Sequence, residues 1–375
     1  MKKETKGLAI IYDPHSLQQF LWYYFTYAKD VQWDALCLPN GYKGTYMTGY
    51  CQKARIFKQI YRGNIDYLEM GIIDKLILFI QMIWHWATNS KSVFAKKVFD
   101  SYVDNVDEYN EIISLCDTGF VSGLSALLWQ EKKISFCDDG LGDYAPRTTW
   151  SSHYKKSSFT YLQGLLMSFM GYGCKGRFYF EPTKYCYKYS AITSEMKYHN
   201  YKYMLDMDMS KTDIDGYNCV LRNIYSELYN INFCGASAIV FTDKMDVFSK
   251  KYQVYYDKCT SYISERHMSC LLKKHPRDDA TYKFNRNVAV VEIDSRVPAE
   301  VLLPFIHGKK IFFLMFSSII IFMNQYKYSY EVFYSEKFYN ENKQERAGWK
   351  FHSREELVNY CERFSKGKYT IIDLD

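Results

Sequence analysis

A chain of 375 residues is long enough for two domains, each with a core of its own. With 48% hydrophobic and 24% charged residues, no low-complexity tract and no fixed-period repeat, it is neither a disordered chain nor a solenoid. The net charge of +6 comes from scattered Lys and Arg without a basic, aromatic-interleaved stripe, so no nucleic-acid partner is expected. An anionic substrate or an anionic membrane face is compatible with that balance.

In chain order, Leu8 to Tyr12 is a short apolar run closed by Asp13-Pro14. It predicts a strand, then a turn, then a helix through Leu17–Tyr24 with Ser16 as N-cap. Trp33–Leu38 predicts a second strand, ended by Pro39-Asn40-Gly41. Helices are expected over Tyr67–Ala87 and Val93–Asp100, a strand over Glu111–Cys116, a helix over Val121–Glu131 and a strand over Lys133–Cys137. This alternation implies a parallel sheet. Beyond Tyr144 the pattern weakens. A helix is expected over Tyr161–Met170, and the polar, Tyr-rich stretch from Tyr185 reads as a crossover or a lid. Strand–helix–strand patterning resumes with Ala236–Phe241, Val247–Ser264, Met268–Leu272 and Val288–Ile293. It continues with a short helix over Pro298–Phe305, a strand over Lys310–Phe316, a terminal helix over Glu355–Ser365 and a final apolar run at Tyr369–Ile372. The expected division is 1–230 and 231–375, with the Tyr-rich segment 185–230 closing the first domain.

Eleven cysteines, an odd number with no Cys-x-x-Cys pair, read as free thiols in a reducing compartment and give no zinc pattern. The apolar run Gly7–Tyr12 is too short for the core of a signal peptide, so a cytoplasmic location is expected. Ile72–Trp86 is too short to span a bilayer and reads as a buried helix. Peripheral attachment through Lys75–Ile80, on the cytoplasmic face of an inner membrane, is the other option. Val301–Met323 is broken by Pro304 and His307-Gly308-Lys309-Lys310, and reads as helix, loop and strand. The 37 tyrosines suit stacking on sugar rings, or simply a Tyr-rich core.

Four polar clusters close apolar runs. Asp138-Asp139-Gly140 follows Lys133–Cys137. Paired carboxylates held close raise one pKa, which suits a general base, and Gly140 leaves room for a substrate; Asp-Gly is also a common turn pair. Lys274-His275-Pro276-Arg277 places an imidazole among cations, which suits a phosphate, although a solvated basic loop would look the same. Glu300, near Pro298, could accept hydrogen bonds from ribose hydroxyls or serve as an ordinary first-turn acid. Ser317-Ser318 could hold a phosphate or cap a helix. A base for an acceptor hydroxyl and a cationic partner for a departing phosphate are what an inverting sugar transfer needs.

The ordered set Asp138-Asp139-Gly140, His275-Pro276 and Ser317-Ser318 resembles the short motifs of bacterial sialyltransferases, nearest to glycosyltransferase family 52, whose members sialylate lipooligosaccharide and capsule. Pro14-His15-Ser16-Leu17-Gln18 is similar to the Pro-Leu-Gln turn after that group's first strand, with an insertion. The resemblance implies an α/β GT-B architecture, two Rossmann-like domains facing a central cleft, with an N-terminal acceptor domain and a C-terminal donor domain. It implies CMP-sialic acid as donor, a galactose-terminated acceptor, no metal or other cofactor, and a homodimer. Asp138 or Asp139 would be the base, His275 would assist departing CMP, Ser317 and Ser318 would hold its phosphate and Glu300 its ribose. Gly140, Lys274, Pro276 and Arg277 would complete the donor site. In that family the base is also placed shortly before His-Pro, where Asp243, Asp246 and Asp257 stand here. Alternatives are a polysialyltransferase, a transferase of CMP-Kdo or another nonulosonic acid, or a non-catalytic carbohydrate-binding or assembly protein that kept the fold.

Overall fold

The computed structural model describes residues 5–40, 45–63, 71–114, 120–129, 132–137, 186–190, 203–206, 211–226, 235–242, 250–275, 278, 280–295, 297–315, 319–320, 323, 326–341, 353–365 and 368–375. The chain divides into two compact units, Met1–Ile224 and Tyr225–Asp375.

Unit 1 contains β1 (Lys6–Ile11), α1 (Pro14–Tyr27), β2 (Gln32–Cys37), the two-residue strands β3 (Pro39–Asn40) and β4 (Thr45–Tyr46), α2 (Thr48–Ala54) and β5 (Phe57–Arg62). There follow α3 (Ile72–Ala87), α4 (Lys91–Asp100), β6 (Glu111–Ser114), α5 (Phe120–Leu128), β7 (Lys133–Cys137), β8 (Cys186–Ser190), β9 (Tyr203–Asp206) and α6 (Ile214–Ile224). Apart from the β3–β4 hairpin, the strands form one parallel sheet in the order β5-β2-β1-β6-β7-β8-β9. The stretch from Tyr185, read as a crossover or lid, thus supplies two strands of this sheet.

Burial explains the central position of β1. Leu8 to Ile11 are inaccessible, as a strand covered on both faces requires. Gly7 is needed there, because a Cβ would lie 2.6 Å from the Trp33 ring. The helix α1 begins one residue after Asp13, and its N-cap is Asp13 rather than Ser16. The Asp13 carboxylate accepts from the Ser16 N–H at 2.8 Å, while Ser16 Oγ accepts from the Asp13 N–H at 2.9 Å. Pro14 takes the first helical position, where its missing N–H costs nothing. The helix is buried almost all round. Trp22 stacks on Tyr217 of α6 at 4.3 Å, and Gln18 donates to the Tyr217 hydroxyl.

The expectation of a buried helix over Ile72–Trp86 is corrected. Leu78 and Met82 of α3 enter the core with Phe94 of α4, but Ile73, Leu76, Ile77, Ile80 and Trp84 are exposed. Of the helix expected from Tyr67, residues 67–70 lie outside the described residues, as does the helix expected over Tyr161–Met170.

Unit 2 contains β10 (Ala238–Phe241), α7 (Lys250–Ser264), β11 (Ser269–Lys273), β12 (Ala289–Ile293), β13 (Lys310–Phe313), β14 (Tyr330–Tyr334), α8 (Glu336–Glu341), α9 (Arg354–Ser365) and β15 (Tyr369–Asp373). A 3-10 helix spans Ala299–Phe305 with Pro298 as its N-cap. The sheet is parallel throughout, in the order β12-β11-β10-β13-β14-β15. With strands counted within the unit, this is the doubly wound order 3-2-1-4-5-6. Without its short hairpin, unit 1 begins 3-2-1-4-5-6 as well. Each unit is therefore a Rossmann-like α/β domain, and the chain as a whole belongs to the α/β class.

Candidate active site at the carboxyl edge of the unit 2 sheet

In an open parallel sheet, ligands bind outside the carboxyl ends of the strands, where the strand order reverses. In unit 2 the reversal lies between β10 and β13, whose central pairing runs Ala238↔Lys310 to Phe241↔Phe313. Three of the residues singled out from the sequence stand on this edge among the described residues. Lys274 and His275 follow β11 directly, and Glu300 lies in the first turn of the 3-10 helix after β12. Asp138, Asp139, Gly140, Pro276, Arg277, Ser317 and Ser318 lie outside the described residues, as do Asp243 and Asp246.

The loop after β11 is braced from below by two residues that the sequence reading missed, Thr242 and Asp278. The His275 N–H donates to Thr242 Oγ1 at 3.0 Å, and the Thr242 hydroxyl donates to the Asp278 carboxylate. Asp278 is buried, and its N–H closes a turn onto the His275 carbonyl at 2.9 Å. Its carboxylate also accepts from the Ala280 N–H at 3.0 Å and from the Tyr282 hydroxyl at 2.6 Å. Burial, with Tyr256 and Asp278 beside it, pushes the Tyr282 phenol far up, so it stays a donor. The result is a backbone held on both sides of a half-buried His275. A sequence signal was present: an Asp three residues after His275 is placed to fold a turn back with its own side chain.

Lys273, the last residue of β11, is 2% exposed. Its ammonium donates to the carbonyls of Lys274 at 2.6 Å and Ser295 at 3.2 Å, tying the ends of β11 and β12 together. Burial pulls its pKa down to about 8, against an opposing pull from Glu300, Asp294, Glu292 and Asp278. Lys274 lies 3.7 Å from Glu292 and over the Tyr282 ring. The edge therefore combines an imidazole and cations with a buried carboxylate, Glu300. That mixture can hold a phosphate on one side and hydroxyls on the other.

Asp257, one of the alternative bases, sits in the middle of α7. Its carboxylate accepts from Gln253 at 2.8 Å, and the same amide reaches the Thr281 carbonyl at 2.9 Å. This pairing ties the helix to the loop beyond Asp278.

The corresponding edge of unit 1 carries the Asp13–Ser16 box after β1 and a small cluster after β2. There the Cys37 and Cys51 sulfurs lie 3.6 Å apart, and Arg62 donates to Thr48 at 2.9 Å. The strand β7, which precedes Asp138 in the chain, ends at Cys137. Among the described residues no cluster of His, Cys, Asp and Glu could hold a metal ion.

No family model matches the sequence, and no curated protein matches it. Similarity to solved structures is confined to the fold. A Listeria monocytogenes protein described as a UDP-N-acetylglucosamine 2-epimerase superposes with a TM-score of 0.48 at 9% identity, over 88% of this chain and 79% of that one. Arabidopsis thaliana UGT89C1 complexed with UDP-L-rhamnose gives 0.49 at 8%, over 100% and 86%. MurG of Acinetobacter baumannii gives 0.42 at 10%, over 99% and 86%.

Proposed function

We propose that this chain is a nucleotide-sugar glycosyltransferase of the GT-B kind. Within that class we assign it as an inverting sialyltransferase that moves sialic acid from CMP-sialic acid to a galactose-terminated surface glycan. The observation that carries the reading is the braced His275 loop beside the strand-order reversal of unit 2. A phosphate held there would meet an imidazole on a fixed backbone with Lys274 and Arg277 adjacent in the chain.

In this reaction an acceptor hydroxyl oxygen attacks the anomeric carbon from the face opposite the phosphate. A carboxylate takes its proton, the bond from the anomeric carbon to the phosphate oxygen breaks, and CMP departs with the electron pair. Asp138 or Asp139 is the proposed base. His275 donates a hydrogen bond or a proton to the departing phosphate, and Ser317 and Ser318 supply further donors. Glu300 accepts from the ribose hydroxyls. The leaving group is a monophosphate, which these groups neutralise without a metal ion. Asp257 is the weaker candidate for the base, since its carboxylate is already engaged by Gln253 within α7.

The test is incubation of the full chain with CMP-sialic acid and a lactose-type acceptor, reading CMP release and product mass. The expected product is heavier by one sialic acid, and His275→Ala abolishes it. Several additions would indicate a polymerase. CMP binding without turnover would point to another nonulosonic acid or acceptor. Neither binding nor turnover would sink the assignment and favour a non-catalytic carbohydrate binder. Asp138→Asn, Asp139→Asn and Asp257→Asn made singly identify the base.

A further inference from the structure

The exposed large apolar residues of α3 form one continuous stripe. Ile73, Leu76, Ile77, Ile80, Ile83 and Trp84 recur at helical spacing and are between 37% and 69% exposed, while Leu78 and Met82 on the opposite face enter the core. Among the described residues nothing covers this stripe. A contiguous apolar patch of that size on a folded chain marks a contact surface. At 16 residues α3 is about 24 Å long, short of the roughly 30 Å of a bilayer core, and no described helix is long and apolar enough to cross a membrane.

The charges around the stripe select the partner. Across α3 and α4, from Gly71 to Asp100, the chain carries Lys75, Lys91, Lys96 and Lys97 against Asp74 and Asp100, and Lys96 pairs with Asp107, which leaves Lys91 and Lys97 as the described basic groups at this hairpin. Lys97 and the exposed Val93 lie one turn apart on α4, which follows α3 and packs against it. Trp84, near the end of the stripe, has the amphipathic ring that settles at headgroup level.

We propose that α3 lies flat in the surface of an anionic phospholipid membrane, with Ile77 and Ile80 in the acyl boundary and Lys91 and Lys97 of α4 on the headgroups. This goes beyond the transfer reaction and does not depend on which sugar is moved.

The full chain is spun with vesicles of phosphatidylcholine alone or mixed with phosphatidylglycerol. It should pellet with the mixed vesicles, less at high salt and little with the neutral ones. Ile77→Glu combined with Ile80→Glu should reduce the bound fraction about tenfold or more with an unchanged far-UV spectrum. Lys91→Glu combined with Lys97→Glu should remove the preference for phosphatidylglycerol. Brominated acyl chains should quench the wild-type fluorescence, and Trp84→Phe should remove most of that quenching. Failure to pellet with anionic vesicles overturns the proposal, as does equal pelleting of wild type and the Ile77/Ile80 variant. A lipid-free dimer that the same variant dissociates would assign the stripe to a second copy and overturn it too.

Discussion

In unit 1, β1 occupies the same place in its sheet as β10 does in unit 2, yet the residues that follow the two strands do opposite things. After β1, the chain caps α1 with its own carboxylate. Asp13 takes the first-turn N–H of Ser16, so the position where a helix would hold a phosphate already holds an anion. After β10, Thr242 turns its hydroxyl to Asp278 and its oxygen to the N–H of His275, and the neighbouring strand brings Lys273, Lys274 and His275 to the edge. Strand order decides where a ligand can sit, and a few residues after the strands decide what charge it must carry. Under the proposed function, unit 2 is the half that takes the anionic donor.

The comparison can be broken most directly at Asp278. Asp278→Ala leaves the Thr242 and Tyr282 hydroxyls and the Ala280 N–H without their shared acceptor. It should cost about 3 kcal/mol of stability and weaken CMP binding at least tenfold, read by chemical denaturation and calorimetry. A variant that unfolds no more easily and binds CMP normally would show that the brace is incidental.

Lys273 sharpens the picture through pH. Its pKa falls from the ordinary 10.5 to about 8 on folding. Between those values the unfolded chain binds more protons than the folded one, so this residue makes stability rise with pH across the window. Below about pH 8 the burial cost of the ammonium is fully present. Lys273→Met should therefore stabilise the fold by about 2 kcal/mol at neutral pH, after the lost bonds to Lys274 and Ser295 are allowed for. The gain over wild type should shrink as pH is raised through that window, which melting curves would follow.

Two changes in unit 1 serve as the other arm. Gly7→Ala drives a methyl into the Trp33 ring and should cost about 2 kcal/mol. Asp13→Ala removes the α1 cap and should cost about 1 kcal/mol. Both should leave CMP affinity unchanged. A loss of CMP binding in Asp13→Ala would mean that the edge of unit 1 also serves the donor.

Of the strands read from sequence, β1, β2, β6, β10, β11 and β13 are inaccessible over most of their length, whereas β12 was legible from its apolar run although four of its five residues are exposed. The strand β5 passed unnoticed because Lys58, Gln59 and Arg62 face solvent at the sheet margin. The strands β8 and β14 are rich in Tyr with Lys or Glu, a composition that resembles a loop until neighbours are known. The α3 stripe was misjudged for the opposite reason. Apolar periodicity shows that a helix has an oily face, and only the packing of Leu78 and Met82 shows which face is left outside. The positions of Lys274, His275 and Glu300 on the sheet edge were legible because these residues follow a strand or open a helix. Thr242 was not, because its role is a contact across 36 positions of chain, and of Asp278 the sequence showed only the local turn after His275.

The central position of β1 also bears on how the chain is made. Its two partners are made at very different times: β2 follows at once, but the pairing Gly7↔Glu111 waits for more than a hundred further residues. At ordinary synthesis rates that interval lasts roughly 5 to 20 s. Throughout it, one edge of an almost wholly apolar strand has no native neighbour on the ribosome. The central strand of unit 2, β10, waits a shorter stretch for β13, so slowing translation between β2 and β6 should lower the yield of folded protein more than slowing it between β11 and β13.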